Sequence, residues 1–282
     1  MKAKVYSTDG KTLRTITLPP IFSEQYRPDL IRKAVRVAQA NRRQPYGASP
    51  LSGSHSTETW GKGRGVARVQ RLMGSRRGAQ SPGTVGGRKA HPPKSEKIWK
   101  RKINDKERRL ALHSALAATA VPEIVRERGH RFSCDLPIVV EDGFERLDKT
   151  KDAVASLQAL GIYEDVLRAQ DRKVRAGKGK WRGRRYRRAN SLLIVVSSPE
   201  KARGARNLPG VDIVTPDGLN AELLAPGGDP GRLTLYTEGG VKGIGEKGKG
   251  RETKGEKERK TKEKERKGKE NERKGRRGDR DK

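Results

Sequence analysis

Residues 59–95 form a run of 37 residues without a single Asp or Glu, and this run restricts what the chain can fold into. Between residues 60 and 94 it holds nine Lys or Arg and eight Gly, with few apolar side chains to bury. Like charges at this density repel one another unless a polyanion neutralises them. An irregular segment of this length inside a compact domain is usually functional. The run is therefore predicted to pack against an anionic partner rather than against a hydrophobic core.

Two further segments share this basic character. The chain of 282 residues has a net charge of +32, to which residues 59–95 contribute +9, residues 172–188 contribute +10 and residues 242–282 contribute +9. The remainder is nearly neutral and can fold, although the hydrophobic content of 31% lies below the ~45–50% of typical globular proteins. Each basic segment would release counterions on meeting phosphates. Nucleic acid is the favoured partner, and no membrane partner is expected, because no segment combines a basic face with a Trp, Phe and Leu face.

The cysteine content and the hydrophobic segments indicate a cellular compartment. The single Cys134 excludes an internal disulfide and is typical of a reducing environment. The N-terminal residues lack the apolar stretch of a secretory signal, and the longest aliphatic run, residues 192–196, is far shorter than the ~20 residues of a membrane span. We therefore expect a cytoplasmic location.

The first part of the chain shows one hairpin and one helix. Apolar and polar residues alternate on both sides of Asp9 and Gly10, which predicts a β-hairpin with its turn there. From Pro28 onward, apolar residues recur at helical spacing and predict an amphipathic helix with one buried stripe, formed by Ile31, Ala34, Val35 and Ala38.

A second helical pattern begins after the acid-free run. Asn104 is a predicted N-cap, with Glu107 three residues later as in a capping box. The core-facing stripe predicted for this helix consists of Leu112, Leu116 and Ala120. Pro122 either kinks this helix or starts a separate one that ends at Gly129.

Beyond residue 135, short apolar runs alternate with helical patterns. The predicted strands are LPIVVED, SLLIVVS, GVDIVT and RLTLYT, and the predicted helices are KTKDAVASLQALG, YEDVLRAQDR and DGLNAELLA. This alternation predicts an α/β fold with a three-layer, mostly parallel sheet flanked by helices, a long irregular internal loop and a disordered basic C-terminal tail. The predicted organisation is a globular domain over residues 1–241, interrupted by an extended loop at 45–98, and a low-complexity basic tail at 242–282.

An enzyme would need a constellation of catalytic or metal-binding side chains, and the sequence offers none. The four histidines are far apart, and no Cys/His spacing matches a metal site. Glu141 and Asp142 are interpreted as solvated acids that end a strand, and Cys134 as a thiol without a surrounding motif. We predict no catalytic residue, no metal and no cofactor.

One glycine motif keeps a nucleotide-using α/β enzyme as a rival hypothesis. GIGEKG at residues 243–248 matches the pattern G-x-G-x-x-G after a predicted strand. A dinucleotide site also needs a helix behind the loop, because amides at the helix N-terminus hold the pyrophosphate. The residues that follow have no apolar face with which such a helix could pack on a sheet. The motif is therefore interpreted as part of the tail.

The basic segments suit RNA better than DNA. No helix is basic along one face with base-reading side chains. Irregular Gly- and Arg-rich extensions suit the crevices of a folded RNA, and Trp181 and Tyr186 can stack between phosphate contacts. Trp60 either stacks on RNA or packs on the protein. The predicted RNA-binding residues are Trp60, Lys62, Arg64, Arg68, Arg71, Arg76, Arg77, Arg88, Lys89, Lys94, Arg175, Lys178, Lys180, Trp181, Arg182, Arg184, Arg185, Arg187 and Arg188.

Three segments resemble universal ribosomal protein four of the large subunit, in its archaeal and eukaryotic form. Residues 175–196 resemble its second signature, and residues 61–93 resemble its long internal loop. The likeness covers about residues 1–240, and the tail has no match in the family core. Residues 104–130 resemble the helical signature at Asn104, Arg108, Ala111, Ser114-Ala115-Leu116, Ala118-Thr119-Ala120 and Arg128-Gly129-His130.

The resemblance implies a non-catalytic, structural constituent of the large ribosomal subunit that binds ribosomal RNA and supports subunit assembly. In this family the globular domain lies on the outside of the subunit, and an RNA-threading loop runs inward to the narrow part of the nascent-peptide tunnel. The implied partners are large-subunit ribosomal RNA, the nascent peptide in transit, and neighbouring ribosomal proteins including the one that contributes the opposite tunnel hairpin.

The resemblance also implies a path for the loop of this chain. The inward arm would carry Arg64 and Arg68, and the returning arm Arg88 and Lys89. The implied tunnel tip consists of Arg71, Leu72, Met73, Gly74, Ser75, Arg76, Arg77 and Gly78. An extra-ribosomal RNA-binding regulator, for example of the chain's own message, is the alternative, because a globular body with basic arms fits both roles.

Overall fold

A computed structural model describes residues 1–198 and 200–246 of the chain. It divides into two compact units. The first, which we call the body, comprises residues 1–36 and the described part of residues 103–282. The second, which we call the loop unit, comprises residues 37–102 and includes the predicted loop at 45–98.

The described strands and helices follow one another along the chain. The strands are β1 (Lys2–Tyr6), β2 (Thr12–Thr17), β3 (Thr57–Thr59), β4 (Gln70–Leu72), β5 (Ile138–Val140), β6 (Lys173–Val174), β7 (Tyr186–Arg187), β8 (Leu193–Val195), β9 (Asp212–Val214) and β10 (Thr234–Thr237). The helices are α1 (Pro28–Asn41), α2 (Asp105–Thr119), α3 (Pro122–Glu127), α4 (Thr150–Ala159), α5 (Tyr163–Gln170), α6 (Ala221–Leu224) and α7 (238–246).

Six strands of the body form one sheet in the order β2-β1-β5-β10-β8-β9. β1 and β2 are antiparallel and form the predicted hairpin, in which Gly10 has a φ of 80°. The other neighbouring pairs, from β1 to β9, are all parallel. Parallel neighbours need crossover connections, and helices lie in those from β1 to β5, from β5 to β8 and from β9 to β10. The predicted mostly parallel α/β sheet is therefore confirmed.

Alternate residues of the central strands face two separate hydrophobic cores. Val139 lies in the core formed with α1, α2 and α6, whereas its neighbours Ile138 and Val140 lie in the core formed with α4 and α5. Leu193 and Ile194 divide between the two cores in the same way. Both faces of the sheet are thus covered by helices, which confirms the three layers and explains why these strands read as continuous apolar runs.

The helical segment after residue 103 follows the prediction except at its start. Leu116 and Ala120 are buried, and Leu112 packs partly against the same core. Pro122 begins the separate helix α3. Proline has no N–H to donate, but at the first helical position no hydrogen bond within the helix is lost by this. Asn104 occupies the N-cap position of α2, but its side chain makes no capping hydrogen bond. The predicted capping box is therefore wrong.

Residues 242–246 correct the predicted boundary of the tail. They belong to α7, in which Val241 and Ile244 are each 4% exposed and lie in the core with α1 and α2. A spacing of three places both side chains on one face of a helix. The first five residues of the predicted tail are therefore part of the body. The disorder predicted for residues 247–282 lies outside the described residues.

Helix α7 also removes the basis for a dinucleotide loop at residues 243–248. Gly243 and Gly245 lie inside the helix rather than in a turn that precedes one. Amides in the middle of a helix are bonded to carbonyls of the preceding turn, so they are not free to hold a pyrophosphate. Across the described ranges, no helix has both the length and the apolar character needed to cross a membrane.

Candidate nucleic-acid interface

The second basic segment, residues 172–188, forms a hairpin that we call the basic arm. Its strands β6 and β7 pair antiparallel, with Lys173 opposite Arg187. The backbone amide of Arg175 continues the ladder by donating to the Arg185 carbonyl at 2.8 Å. The arm is therefore held by backbone bonds of its own, although the sequence predicted no strands there.

The end of the arm is a 3-10 turn between two glycines. The turn spans Lys178–Arg182, and both Gly177 and Gly183 have a φ of 76°. This left-handed region favours glycine because a Cβ would clash with the backbone. The glycines thus allow a tight reversal within a segment whose charged side chains would otherwise resist close approach.

The side chains of the basic arm are turned to solvent. All ten Lys and Arg of residues 172–188 are exposed, and none forms an ion pair within the described part of the chain. Trp181 is 82% exposed, with Lys180 6.0 Å from its ring centroid, and Arg185 lies 5.6 Å from the ring of Tyr186. Exposed rings flanked by cations can stack on bases while the cations contact phosphates.

A buried carboxylate fixes the two ends of the basic arm. Asp165, fully buried in α5, accepts hydrogen bonds from Arg168 Nε at 2.9 Å and from Ser191 Oγ at 2.9 Å. The same guanidinium donates to the Asn190 carbonyl at 2.9 Å. Because α5 precedes the arm and residues 190 and 191 follow it, this network joins the incoming and outgoing chain.

The electrostatics of Asp165 depend on the same partners. Burial by itself raises the pKa of the Asp165 carboxyl, but hydrogen bonds and charge interactions with His130 and Arg168 outweigh burial and lower the pKa to about 2. His130 Nδ1 lies 2.9 Å from Asp165 Oδ2, and the Arg131 amide donates to Asp165 Oδ1 at 3.1 Å. The carboxylate is therefore charged at neutral pH and stabilises the folded base of the arm.

Arg232 is a buried cation of the body whose charge is compensated by neighbouring protein groups. Its guanidinium is 1% exposed, donates to the carbonyls of Ser191 and Gly210, and forms an ion pair with Asp212 at 2.6 Å. Burial lowers the pKa of Arg232, and the nearby Asp212 carboxylate opposes that effect. Buried cations of the body are thus compensated by protein groups, whereas the cations of the basic arm are not.

The loop unit concentrates positive charge in the same way. Residues 37–102 contain 15 Lys or Arg and only two acids, Glu58 and Glu96. Of the nine basic side chains between residues 60 and 94, eight are exposed and form no ion pair with any described residue; the ninth is Arg71. The loop unit therefore presents a second surface of uncompensated cations.

The side chain of Arg71 is buried and forms hydrogen bonds within the loop unit. This burial differs from the prediction that the side chain is available to RNA. Its side chain is 8% exposed and donates to the carbonyls of Ala67, at 2.9 Å, and Arg76. Its guanidinium carbon also lies 5.2 Å from the ring centroid of Trp60. Trp60 in turn donates from Nε1 to Glu58 at 2.7 Å, so its described contacts are with the loop unit's own residues.

The predicted tunnel tip forms a small hairpin. β3 pairs antiparallel with one edge of β4, and an antiparallel bridge between Arg71 and Gly78 lies on the other edge of β4. The Leu72 amide donates to the Arg77 carbonyl at 3.1 Å, and Met73 at the turn is 68% exposed. The predicted irregular loop therefore contains regular structure, and residues 71–78 form a hairpin turn.

Sequence reasoning missed three groups that organise these segments. Glu58, which precedes the acid-free run, accepts from Trp60 and from the Gly74 amide at 3.3 Å and so ties the tip to β3. Arg43 lies over the ring of Trp99 with its guanidinium carbon 3.8 Å from the centroid. Asp165 is the third. No sequence pattern marks these groups, because each also contacts a residue too far along the chain for the helical or strand period to reveal.

The other candidate sites found in the sequence have structural partners. Glu141 accepts hydrogen bonds from Ser7 Oγ and the Thr8 amide, and Asp142 accepts from the Gly239 amide at 2.8 Å. Burial raises the pKa of Cys134 to about 11, so its thiol is protonated at neutral pH. Within the described ranges, no three His, Cys, Asp and Glu side chains are grouped as a metal site would require.

Comparison with known proteins gives the chain relatives over most of its length. Residues 16–247 match the model of the Ribosomal protein L4/L1 family. The chain is 54% identical over 248 residues to "Large ribosomal subunit protein uL4" of Methanoculleus marisnigri, covering 87% of this chain and 99% of that protein. Proteins of the same name from Methanospirillum hungatei and Archaeoglobus fulgidus are 54% and 51% identical over 247 and 249 residues, with the same coverage.

These matches cover the body, the loop unit and the basic arm together. They also agree with the archaeal form of the family that the sequence motifs resemble. The chain belongs to the Ribosomal protein L4/L1 family.

Proposed function

We propose that this protein is a structural constituent of the large ribosomal subunit that binds ribosomal RNA through the basic arm and the loop unit. The observation that carries this proposal is a set of 18 exposed cations, eight between residues 60 and 94 and ten in residues 172–188, without carboxylate partners among the described residues. Phosphates are the partner that such a set requires. Relatives that are 51–54% identical bear the name of a large-subunit protein, which selects ribosomal RNA.

The loop unit has a further role in this proposal. Its tip hairpin lines the narrow part of the nascent-peptide tunnel, beside the hairpin of another ribosomal protein. A narrow turn with backbone bonds of its own can project through RNA without a hydrophobic core behind it. The exposed Met73 and the small Gly74 and Ser75 would then face the nascent peptide, while Arg76 and Arg77 contact RNA at its wall.

Sedimentation of the tagged chain with ribosomal particles tests the RNA-binding part. The variant carries Gln at Arg182, Arg184 and Arg185 in the basic arm, and the matched control carries Gln at three exposed lysines of the body, Lys2, Lys149 and Lys151. The expected result is that only the arm variant loses association with large subunits as salt is raised. Equal retention of both variants would contradict a role of the arm in RNA binding, and a wild-type chain found mainly with free RNA would favour the regulator.

A photoreactive amino acid at position 73 tests the tunnel part. Ribosomes stalled on a radiolabelled nascent peptide are irradiated, and crosslinks to the chain are scored on gels. A probe at Leu167, an exposed position of α5 in the body, serves as the control. Crosslinks at position 73 and none at position 167 are expected. Crosslinks at neither position would refute the tunnel assignment while leaving RNA binding intact.

A further inference from the structure

A cleft of about 620 Å³ lies in the body at the base of the basic arm. This volume falls within the ~300–1,000 Å³ of sites that hold small ligands. The cleft is bordered by α5, by the first and last residues of the arm, and by residues 207 and 209. Arg172 and Arg188 belong to the predicted basic segment at residues 172–188, and Arg188 alone of the lining residues is among the predicted RNA-binding residues.

Two arginines stand at one rim of the cleft. Lys173 pairs with Arg187, so the antiparallel register places Arg172 and Arg188 opposite each other at the open end of the hairpin. Both side chains are exposed, and neither has a hydrogen-bond or ion-pair partner in the described parts of the chain. Two adjacent guanidinium groups repel each other, and a phosphate between them relieves this repulsion while accepting hydrogen bonds from both.

Part of the cleft lining is apolar and packs on the core. Val166 is 1% exposed, and Tyr163 packs partly against the same hydrophobic core while also lining the cleft. Pro209 lines it as well. An aromatic ring fixed by a core, facing open space, is the surface on which unpaired RNA bases stack.

Three polar side chains, two amides and one carboxylate, complete the lining. Gln170 and Asn207 supply amides that both donate and accept, and Asp171 supplies a carboxylate that only accepts when it is ionised. A carboxylate matches bases that carry amino donors and repels a second phosphate. Guanine presents a ring N–H and an amino group side by side, which fit the two oxygens of one carboxylate, whereas uracil presents one donor.

We infer that this cleft binds a single unpaired nucleotide of RNA, with a preference for guanosine, its base on Tyr163 and its phosphate between Arg172 and Arg188. The inference rests on the proposed RNA-binding function and adds to it a site that selects one nucleotide. The long basic surfaces hold the phosphate backbone without regard to sequence, and the cleft fixes the position of the arm along the RNA.

Titration calorimetry of the full chain with guanosine monophosphate, uridine monophosphate and inorganic phosphate tests the inference. Saturable binding of guanosine monophosphate is expected, about ten-fold tighter than inorganic phosphate and several-fold tighter than uridine monophosphate, because its base adds stacking on Tyr163 and hydrogen bonds to a charged group. Equal binding of all three probes would show a cation pair that holds phosphate alone and would overturn the inference.

Matched double variants locate the binding. Gln at both Arg172 and Arg188 is expected to weaken guanosine monophosphate binding about ten-fold, as loss of a charge-assisted pair does. Gln at Lys149 and Lys151, two exposed lysines of the body that lie outside the lining, changes the charge equally and is expected to leave binding within two-fold of wild type. Asp171→Asn is expected to reduce the preference over uridine monophosphate, because the amide keeps only one of the two acceptor oxygens. Equal loss in both double variants would overturn the inference.

The salt dependence of RNA binding by the wild-type chain is measured in parallel. If RNA binds with a steep salt dependence but the Arg172 and Arg188 variant binds guanosine monophosphate as wild type does, the cleft assignment fails and the proposed function stands. If the wild-type chain binds no RNA, the proposed function itself fails.

Discussion

Replacement of Asp165 by Asn tests whether the buried network at the base of the basic arm stabilises the body. The carboxylate accepts from Arg168, Ser191 and the Arg131 amide, and also pairs with His130. An amide of the same shape keeps one acceptor oxygen, and its NH₂ group faces donors. The variant therefore loses the charge and leaves at least one buried donor unpaired.

The magnitude follows from the pKa of Asp165. Its fall from 3.8 to about 2 corresponds to ~2 kcal/mol, since one pKa unit is about 1.4 kcal/mol. Removal of one partner of a buried ion pair typically costs about 3–5 kcal/mol. We expect Asp165→Asn to lower the free energy of unfolding by about 2–4 kcal/mol at pH 7, measured by urea denaturation followed by circular dichroism.

The lowered pKa of Asp165 also predicts how the stability difference between wild type and variant changes with pH. A carboxyl whose folded pKa lies below its unfolded value stabilises the protein above about pH 4, and this contribution is lost as the pH falls towards 2. The difference between wild type and variant should therefore shrink between pH 5 and pH 2. Glu164→Gln, an exposed change in the same helix, is the control and should shift stability by no more than about 0.5 kcal/mol. A variant as stable as wild type at pH 7, or a difference that stays constant down to pH 2, would refute the reasoning.

Three further changes separate stability from RNA binding. Trp181→Ala should leave the melting temperature unchanged, because the ring is 82% exposed. It should weaken the binding of a ribosomal RNA fragment by about 1–3 kcal/mol, measured by fluorescence anisotropy, and an unchanged affinity would exclude stacking of the ring on a base. Tyr236→Phe should lower the free energy of unfolding by about 1 kcal/mol, because the buried Tyr236 hydroxyl lies 2.8 Å from Thr119 Oγ1; no loss in thermal denaturation would show that this bond adds nothing. Deletion of residues 71–78 should leave the cooperative unfolding of the body intact in calorimetry, since none of them lies in either of its cores; loss of cooperativity would contradict this.

The sequence predicted the elements whose burial repeats with a regular period. Leu116 and Ala120 recur at helical spacing, and the run at β5 is apolar because both faces of the sheet are covered. These signals are local, so one sequence is enough to read them. The family resemblance then implied a position for the tip, which no periodicity could supply and which stays a prediction.

The parts that sequence reasoning missed depend on contacts without a period. The sequence places Arg71 among the predicted RNA-binding residues, because nothing in it shows that the Arg71 guanidinium lies over the ring of Trp60. Helix α7 was hidden by the Gly and Lys around Val241 and Ile244, whose spacing of three was its only trace. No sequence pattern identifies the role of Asp165 either. Of its hydrogen-bond partners, only Arg168 lies within one helical turn, whereas the others lie 34 or 35 residues upstream and 26 residues downstream.

The salt dependence of the association constant with large-subunit ribosomal RNA tests the central claim most directly. If the exposed cations of the basic arm and the loop unit lie along phosphates, ten such contacts predict a log–log slope of magnitude about 7–9, since each contact contributes roughly 0.7–0.9. The variant with Gln at Arg182, Arg184 and Arg185 should reduce that magnitude by about 2–3. A slope near 1 for the wild-type chain would contradict the account, because the cationic surfaces would then not be used to hold RNA.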